Sequence, residues 1–306
     1  QITLICGTGG TGKTSIWVSL VSSLSSGTAT LFDGTDRSFA ERKPQRVMFF
    51  SAEDTVENVI RKKVRTQGGN LRDIFTVSIS DERFERIRFG SEYLEKLIAK
   101  YKPVLCVFDP LQSFVDAKIK MSDRNAMRQN MRCLIEWGKK YGTTFLIVMH
   151  TNKQSNVWGR QRMADSADLW DIARCVWMVG DTQDEGIKYL SHEKSNYGKT
   201  GQTMLFKNEG GHPTFWGWTD LKDRDYVIQA ARVRDDKRNG SDIDGAIEAI
   251  LSELSDHPEG LRAGDLDDLL NFIGFSSRAI KTAKKTLKER HAIEYRKIGM
   301  EGGWMV

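Results

Sequence analysis

GTGGTGKT, residues 7–14, decides the reading of this chain, because it satisfies GxxxxGK[ST] between a strand-like run and a helical one. Residues 2–6 read as a short apolar strand. After Lys13, the residues Ile16, Trp17, Leu20, Val21 and Leu24 fall on one helical stripe with serines on the other, and Gly27 is placed to end the helix. Strand, glycine loop and helix in that order form an anion cradle: the glycines let the backbone turn inward, and successive amide N–H groups plus the helix N-terminus face the phosphates. The expected nucleotide-binding set is Gly7, Gly9, Gly10, Thr11, Gly12, Lys13, Thr14 and Ser15. Lys13 is expected to reach the β and γ phosphates, and Thr14 to hold Mg²⁺ through its hydroxyl, which leaves the fold to supply a carboxylate. A glycine-rich surface turn would need neither the strand nor the helix.

At 306 residues, the chain has room for one domain of about 200 to 240 residues plus a small one. Its longest apolar runs, such as residues 145–149, fall far short of the roughly 18 residues of a membrane span. Cysteines at 6, 106, 133 and 175 show no CxxC spacing, so they read as reduced thiols of a cytoplasmic protein rather than a zinc or disulfide framework. The net charge of +5 favours an anionic partner only weakly, and its distribution matters more. Gln1 is not an initiator residue and the first strand starts at once, so the expectation is a chain missing its natural N-terminus.

Three further strands end in chemistry. The apolar run 47–50 leads into SAED, 51–54; a carboxylate at that strand end, beside a phosphate loop, is where a general base would orient water, and Glu53 is assigned to it. Asp54 is expected to cap the following helix, which carries Val56, Val59, Ile60 and Val64. A strand near 74–79 and a helix over 84–101, stopped by Pro103, come next. VLCVF, 104–108, followed by Asp109 reads as a buried parallel strand delivering the missing metal-binding carboxylate to the sheet edge. A helix with Met127, Met131, Leu134, Ile135 and Gly138 on one face precedes TFLIVM, 144–149, and then HTNK, 150–153. His150, or Asn152, at the same edge could contact the γ-phosphate and report hydrolysis to the next loop.

The ordered set GTGGTGKT, FFSAED, FDPLQSF and VMHTNK resembles the RecA-type ATPases, and among them the RepA-like hexameric helicase ATPases of plasmids and phages. The resemblance covers residues 1 to about 219. It implies a mostly parallel sheet flanked by helices with antiparallel edge strands, ATP and Mg²⁺ as ligands, and a ring of six subunits with ATP between neighbours. It also implies single-stranded DNA in a central channel, gripped by loops after the second carboxylate strand and the sensor strand. Those loops are residues 116–124, with Lys118 and Lys120, and 154–163, with Trp158, Arg160 and Arg162 beside Lys153; cations for phosphate and an aromatic for stacking suit that task. Strands around 187–192, 203–206 and 215–218 would form the far edge of the sheet. KSNYGKTG, 194–201, aligns with a hairpin that in DnaB-type helicases carries Lys-x-Arg-Asn-Gly and reaches the neighbour's γ-phosphate. Lys194 matches the lysine, but Asn196 stands where the arginine belongs, so Lys194 is expected to act in trans, alone or with Arg174 or Lys199.

The ATPase domain is expected to span 1–219, a charged linker 220–241, and a winged helix 242–306. Ile243, Ala246, Ile247, Ile250, Leu251 and Leu254 make the first helical stripe of that small domain, Leu266, Leu269 and Leu270 the second; Ser276 or Ser277 caps a third, and residues 293–297 with 302–306 suggest the wing. Residues 242–268 hold nine acids against one base, whereas 276–297 hold eight bases against two acids. Lys281, Lys284, Lys285 and Lys288 are expected opposite Ile280, Ala283 and Leu287, a helix face suited to duplex DNA phosphates. The whole reads as an ATP-driven motor on single-stranded DNA. A recombination filament ATPase, or a DNA-binding adaptor that uses ATP as a switch, would share these motifs.

Overall fold

The computed structural model of the protein describes residues 1–36, 42–121, 123–152, 157–297 and 304–306. Lys153 and the glycines at 302 and 303 lie outside the described residues. The chain divides into two compact units, Gln1–Gln229 and Ala230–Val306.

The first unit runs β1 (Ile2–Gly7), α1 (Lys13–Ser26), β2 (Val47–Ser51), α2 (Arg61–Thr66), β3 (Ile74–Phe75), α3 (Glu92–Tyr101), β4 (Leu105–Asp109), α4 (Arg124–Tyr141), β5 (Thr144–His150), α5 (Ala167–Ile172), β6 (Cys175–Asp181), β7 (Ile187–Ser195), β8 (Thr203–Glu209) and β9 (His212–Thr219). The nine strands form one sheet in the order β3-β2-β4-β5-β1-β6-β7-β8-β9. β3 through β6 in that order pair in parallel, and β7, β8 and β9 are added antiparallel. The central strands are apolar on both faces because both are covered. Phe50, Cys106, Phe108 and Ile147 enter one core with Leu94, Met131 and Leu134; Phe49, Val107 and Val148 enter the other with Ile16, Trp17 and Val64. Full burial of side chains of this size is worth about 1.5 to 3 kcal/mol each, enough to fix the register of the whole edge.

Three local expectations are corrected. β3 is two residues, not six. The helix expected over 84–101 is a short 3₁₀ segment, Glu82–Arg86, and then α3, separated by Gly90 at φ 83° and restarted where the Ser91 hydroxyl accepts from the Leu94 N–H. Asp54 caps no helix: it pairs with Lys63 at 3.5 Å, and Thr55 is the residue at the helix entry.

The stretch expected to be a linker is also different. It belongs to a helix, α6 (Asp223–Asp256), so the strand-poor, charged sequence 220–241 is mostly helical and the division between units falls at Gln229. No proline interrupts residues 214–257, and residues such as Gln229, Ala230, Ala231 and Arg232 favour helix.

The second unit, taken by itself, packs the later part of α6 with α7 (Ala263–Ile273) and α8 (Ser277–Glu289) around Ala246, Ile250, Leu266, Leu270, Ile280, Ala283 and Leu287. The Ser276 hydroxyl caps α8 by accepting from the Ala279 N–H. β10 (Arg296–Lys297) and β11 (Trp304–Met305) pair antiparallel, and Met305 also bridges to Arg262.

Candidate active site

Parallel pairing aligns the strand ends that carry chemistry. Gly7 at the end of β1 lies opposite His150 at the end of β5, and Ser51 at the end of β2 lies opposite Asp109 at the end of β4. Beyond β1 the chain turns into α1, whose N-cap Gly12 adopts φ 95°, a left-handed conformation that suits glycine. Gly7 has a different reason: a Cβ there would sit 2.5 Å from the Val179 carbonyl oxygen of β6.

Lys13 is buried, and its Nζ donates to the carbonyls of Gly7 at 2.9 Å and Thr8 at 2.7 Å, closing the loop on itself. Burial lowers its pKa, against the pull of Asp109 and Glu53. Thr14 Oγ1 donates to Asp109 Oδ2 at 3.1 Å. The same oxygen accepts from Trp17 Nε1 at 2.7 Å. Asp109 is buried, which raises its pKa, and the Trp17 and Thr14 donors oppose that rise. A hydroxyl and a carboxylate in contact are the hard-oxygen donors that Mg²⁺ prefers, so the pair expected to hold the metal is chemically suited to it.

Glu53 and His150 are both exposed and meet through His150 Nε2 and Glu53 Oε1 at 2.9 Å. His150 Nδ1 lies 3.5 Å from Lys13 Nζ. An ammonium only donates, so Nδ1 is the acceptor there and the ring proton sits on Nε2, donated to Glu53. Lys13, His150 and Glu53 thus form one chain from the glycine loop to the candidate base. Trp17 escaped the reading of the sequence as anything but core. Its place four residues after Lys13, one helical turn on, was the available signal.

The expected DNA contacts divide. Lys118 and Lys120 are exposed. Arg160 is exposed and paired with Asp171 at 2.6 Å, and half-buried Trp158 lies under the Arg224 guanidinium at 4.9 Å. Arg162 is a correction: it is buried, with Nη1 2.5 Å from Asp223 Oδ1 and Nη2 3.3 Å from Thr151 Oγ1, so it presents no charge to a strand. Lys194 Nζ donates to the carbonyls of Trp170 at 2.7 Å and Asp171 at 3.0 Å, satisfying the C-terminal end of α5, and burial lowers its pKa. Arg174 and Lys199 are exposed.

In the second unit, Lys281, Lys285 and Lys288 are exposed around a groove of about 600 Å³ that Tyr295 and Asn271 also line. Lys284 is the second correction. It is buried on α8, 2.7 Å from Asp267 and donating to the Ala263 carbonyl at 3.1 Å, so it holds α7 to α8 instead of facing outward. Among the described residues there is no cluster of three or more His, Cys, Asp or Glu side chains able to hold a metal. No described helix is long and apolar enough to cross a membrane.

A family model described as the AAA domain matches residues 1–156. No curated protein matches the sequence. Among solved structures, one described as an ATPase domain aligns at a TM-score of 0.50 and 14% identity, over 71% of this chain and 84% of that one. A second, described as the structure of a DnaB-like replicative helicase and its interactions with primase, aligns at 0.50 and 14%, over 70% of this chain and 57% of that one. At this identity the likeness is one of fold: a mostly parallel sheet flanked by helices, closed by antiparallel edge strands. This chain spans little more than half of the second structure's length.

Proposed function

This chain belongs to the AAA domain family, and from that premise we propose that it is an ATP-hydrolysing motor on single-stranded DNA, a replicative helicase ATPase of the RepA/DnaB kind. The observation that carries the reading is the convergence of Lys13, Thr14, Glu53, Asp109 and His150, from four strand ends, into two hydrogen-bonded groups, Lys13–His150–Glu53 and Thr14–Asp109, with Asp109 and Glu53 both acting electrostatically on Lys13. Lys13 would leave the Gly7 and Thr8 carbonyls for the phosphates of bound ATP, and Thr14 and Asp109 would hold Mg²⁺. The metal, when bound, supplies positive charge to the β and γ phosphates. Glu53 takes the proton of the attacking water, and His150, already bonded to Glu53, holds that carboxylate in register with the phosphate loop. Lys118, Lys120 and the segment around Trp158 and Arg160 face the DNA strand. A ring of six subunits would set Lys194 of one against the nucleotide of the next once it leaves the end of α5.

The second unit fits a winged helix: three helices, then a short antiparallel pair. Its exposed lysines around the α8 groove suit duplex phosphates. Turnover tests the ATPase reading. Lys13→Ala should weaken nucleotide binding and abolish hydrolysis. Glu53→Gln should bind ATP with near-normal affinity and hydrolyse it at least about a hundredfold more slowly. Near-normal hydrolysis by Glu53→Gln would remove Glu53 from the role, and electron microscopy with an ATP analogue and single-stranded DNA separates ring from filament.

A further inference from the structure

Arg162, freed by its burial from any role at the DNA surface, is the centre of a polar network that the hydrolysis chemistry above does not use. Its partner Asp223 is fully buried at the first residue of α6 and takes three donors: Arg162 Nη1 at 2.5 Å, the Tyr189 hydroxyl at 2.8 Å and the Gly159 N–H at 2.8 Å. The other arm of the guanidinium, Nη2, donates to Thr151 Oγ1 at 3.3 Å. Thr151 immediately follows His150, and its own N–H donates to the carbonyl of Gly7 in the phosphate loop at 3.3 Å. The Arg162 carbonyl accepts from the Asn152 N–H at 3.1 Å. Met163, the next residue, is buried with its Sδ 3.7 Å from Cys6 Sγ in β1.

A buried carboxylate with three donors and a guanidinium with two acceptors have no inexpensive alternative arrangement, because releasing either partner leaves an unpaired charge away from water. The pair therefore fixes whatever it touches. What it touches is the two residues after His150 on one side and the root of α6 on the other. Resting on the reading of this edge as a nucleotide site, we propose that Arg162 is a positioning residue. Anchored on Asp223, it holds Thr151, and through Thr151 it sets where His150 stands between Lys13 and Glu53. A movement of the 157–163 segment or of the start of α6 would then reach the hydrolytic site by tilting one imidazole, without any contact with ATP.

Two variants separate positioning from mere support of the fold. Thr151→Val removes the acceptor of Nη2 with little change in volume and leaves the Arg162–Asp223 pair intact. Arg162→Lys keeps a charge for Asp223 but lacks the second arm of the fork. Both are followed by ATPase kinetics and by a long-range proton–nitrogen correlation spectrum of the histidine rings. The chain has five histidines, so His192, His212, His257 and His291 serve as internal references. Expected in both variants are displaced His150 ring resonances with the other four in place, and kcat lower by roughly tenfold with KM within about twofold, the scale of a small misplacement of a catalytic group. Unmoved His150 resonances in two folded variants would overturn the proposal. Absence of ATPase activity in the wild-type chain would count against the ATPase reading instead, and the resonances would still decide this one.

Discussion

Replacing Trp17 by Phe isolates the contact on which the candidate metal site leans. The indole is fully buried, packs against Phe49 with ring centroids 5.2 Å apart, and donates to Asp109 Oδ2 at 2.7 Å. Phenylalanine keeps the aromatic packing and deletes the donor. A hydrogen bond to a charged group contributes about 1.5 to 3 kcal/mol. The smaller ring leaves on the order of 40 Å³ unfilled, worth about 1 kcal/mol. The expected loss is therefore about 2.5 to 4 kcal/mol, a fall in Tm of roughly 5 to 15 °C for a unit of this size.

The pH dependence has a definite sign. Burial holds the Asp109 pKa above its unfolded value, so the folded state binds the extra proton and stability declines as pH rises from the unfolded value, about 4, through the folded one. Losing the Trp17 donor raises the folded pKa further. The gap between variant and wild type should thus be small near about pH 4 and widen towards about pH 7. Urea unfolding followed by far-ultraviolet circular dichroism across that range measures it. A neutral-pH difference under about 0.5 kcal/mol, or one that does not change with pH, would refute the argument, because either result means the indole N–H does not stabilise the carboxylate.

The remaining lysines give two more expectations. Lys281→Ala should weaken duplex binding and reduce the salt slope by about one, whereas Lys284→Ala should lower the stability of the second unit by removing a buried partner of Asp267; equal effects of both on the salt slope would contradict the burial of Lys284. Mixed oligomers of Lys194→Ala and Glu53→Gln subunits should regain ATPase activity above the sum of the separate variants if active sites are shared; full activity of Lys194→Ala alone, or no recovery in verified mixed oligomers, would leave Lys194 as only the partner of the Trp170 and Asp171 carbonyls.

Much of the candidate site was legible in the linear chain because its signals are local. A glycine pattern, the short apolar runs in VMFFS and LCVFD, and a carboxylate or imidazole at or just past the end of each run are properties of a few consecutive residues. Parallel pairing then has little choice but to bring those ends to one edge, and Lys13, Glu53, Asp109 and His150 meet there. Helix interruptions were less legible: Gly90 and the Ser91 cap outweighed the apolar spacing that had suggested one helix over 84–101.

Sequence by itself determined the succession of the strands in the first unit, their apolar character and the identity of the residues at their ends, all of which follow from hydrophobic pattern and turn chemistry. The partner of each charge was decided only by the tertiary structure. Arg162 and Lys284 sit in basic stretches that read as surface, yet each is drawn inward by an acid, Asp223 or Asp267, contributed by another part of the chain. Trp17 reads as one more core residue until β4 brings Asp109 against its N–H. A charge in a sequence is the same letter whether solvated or paired, and the difference lies in the approach of a distant group that removes water from both.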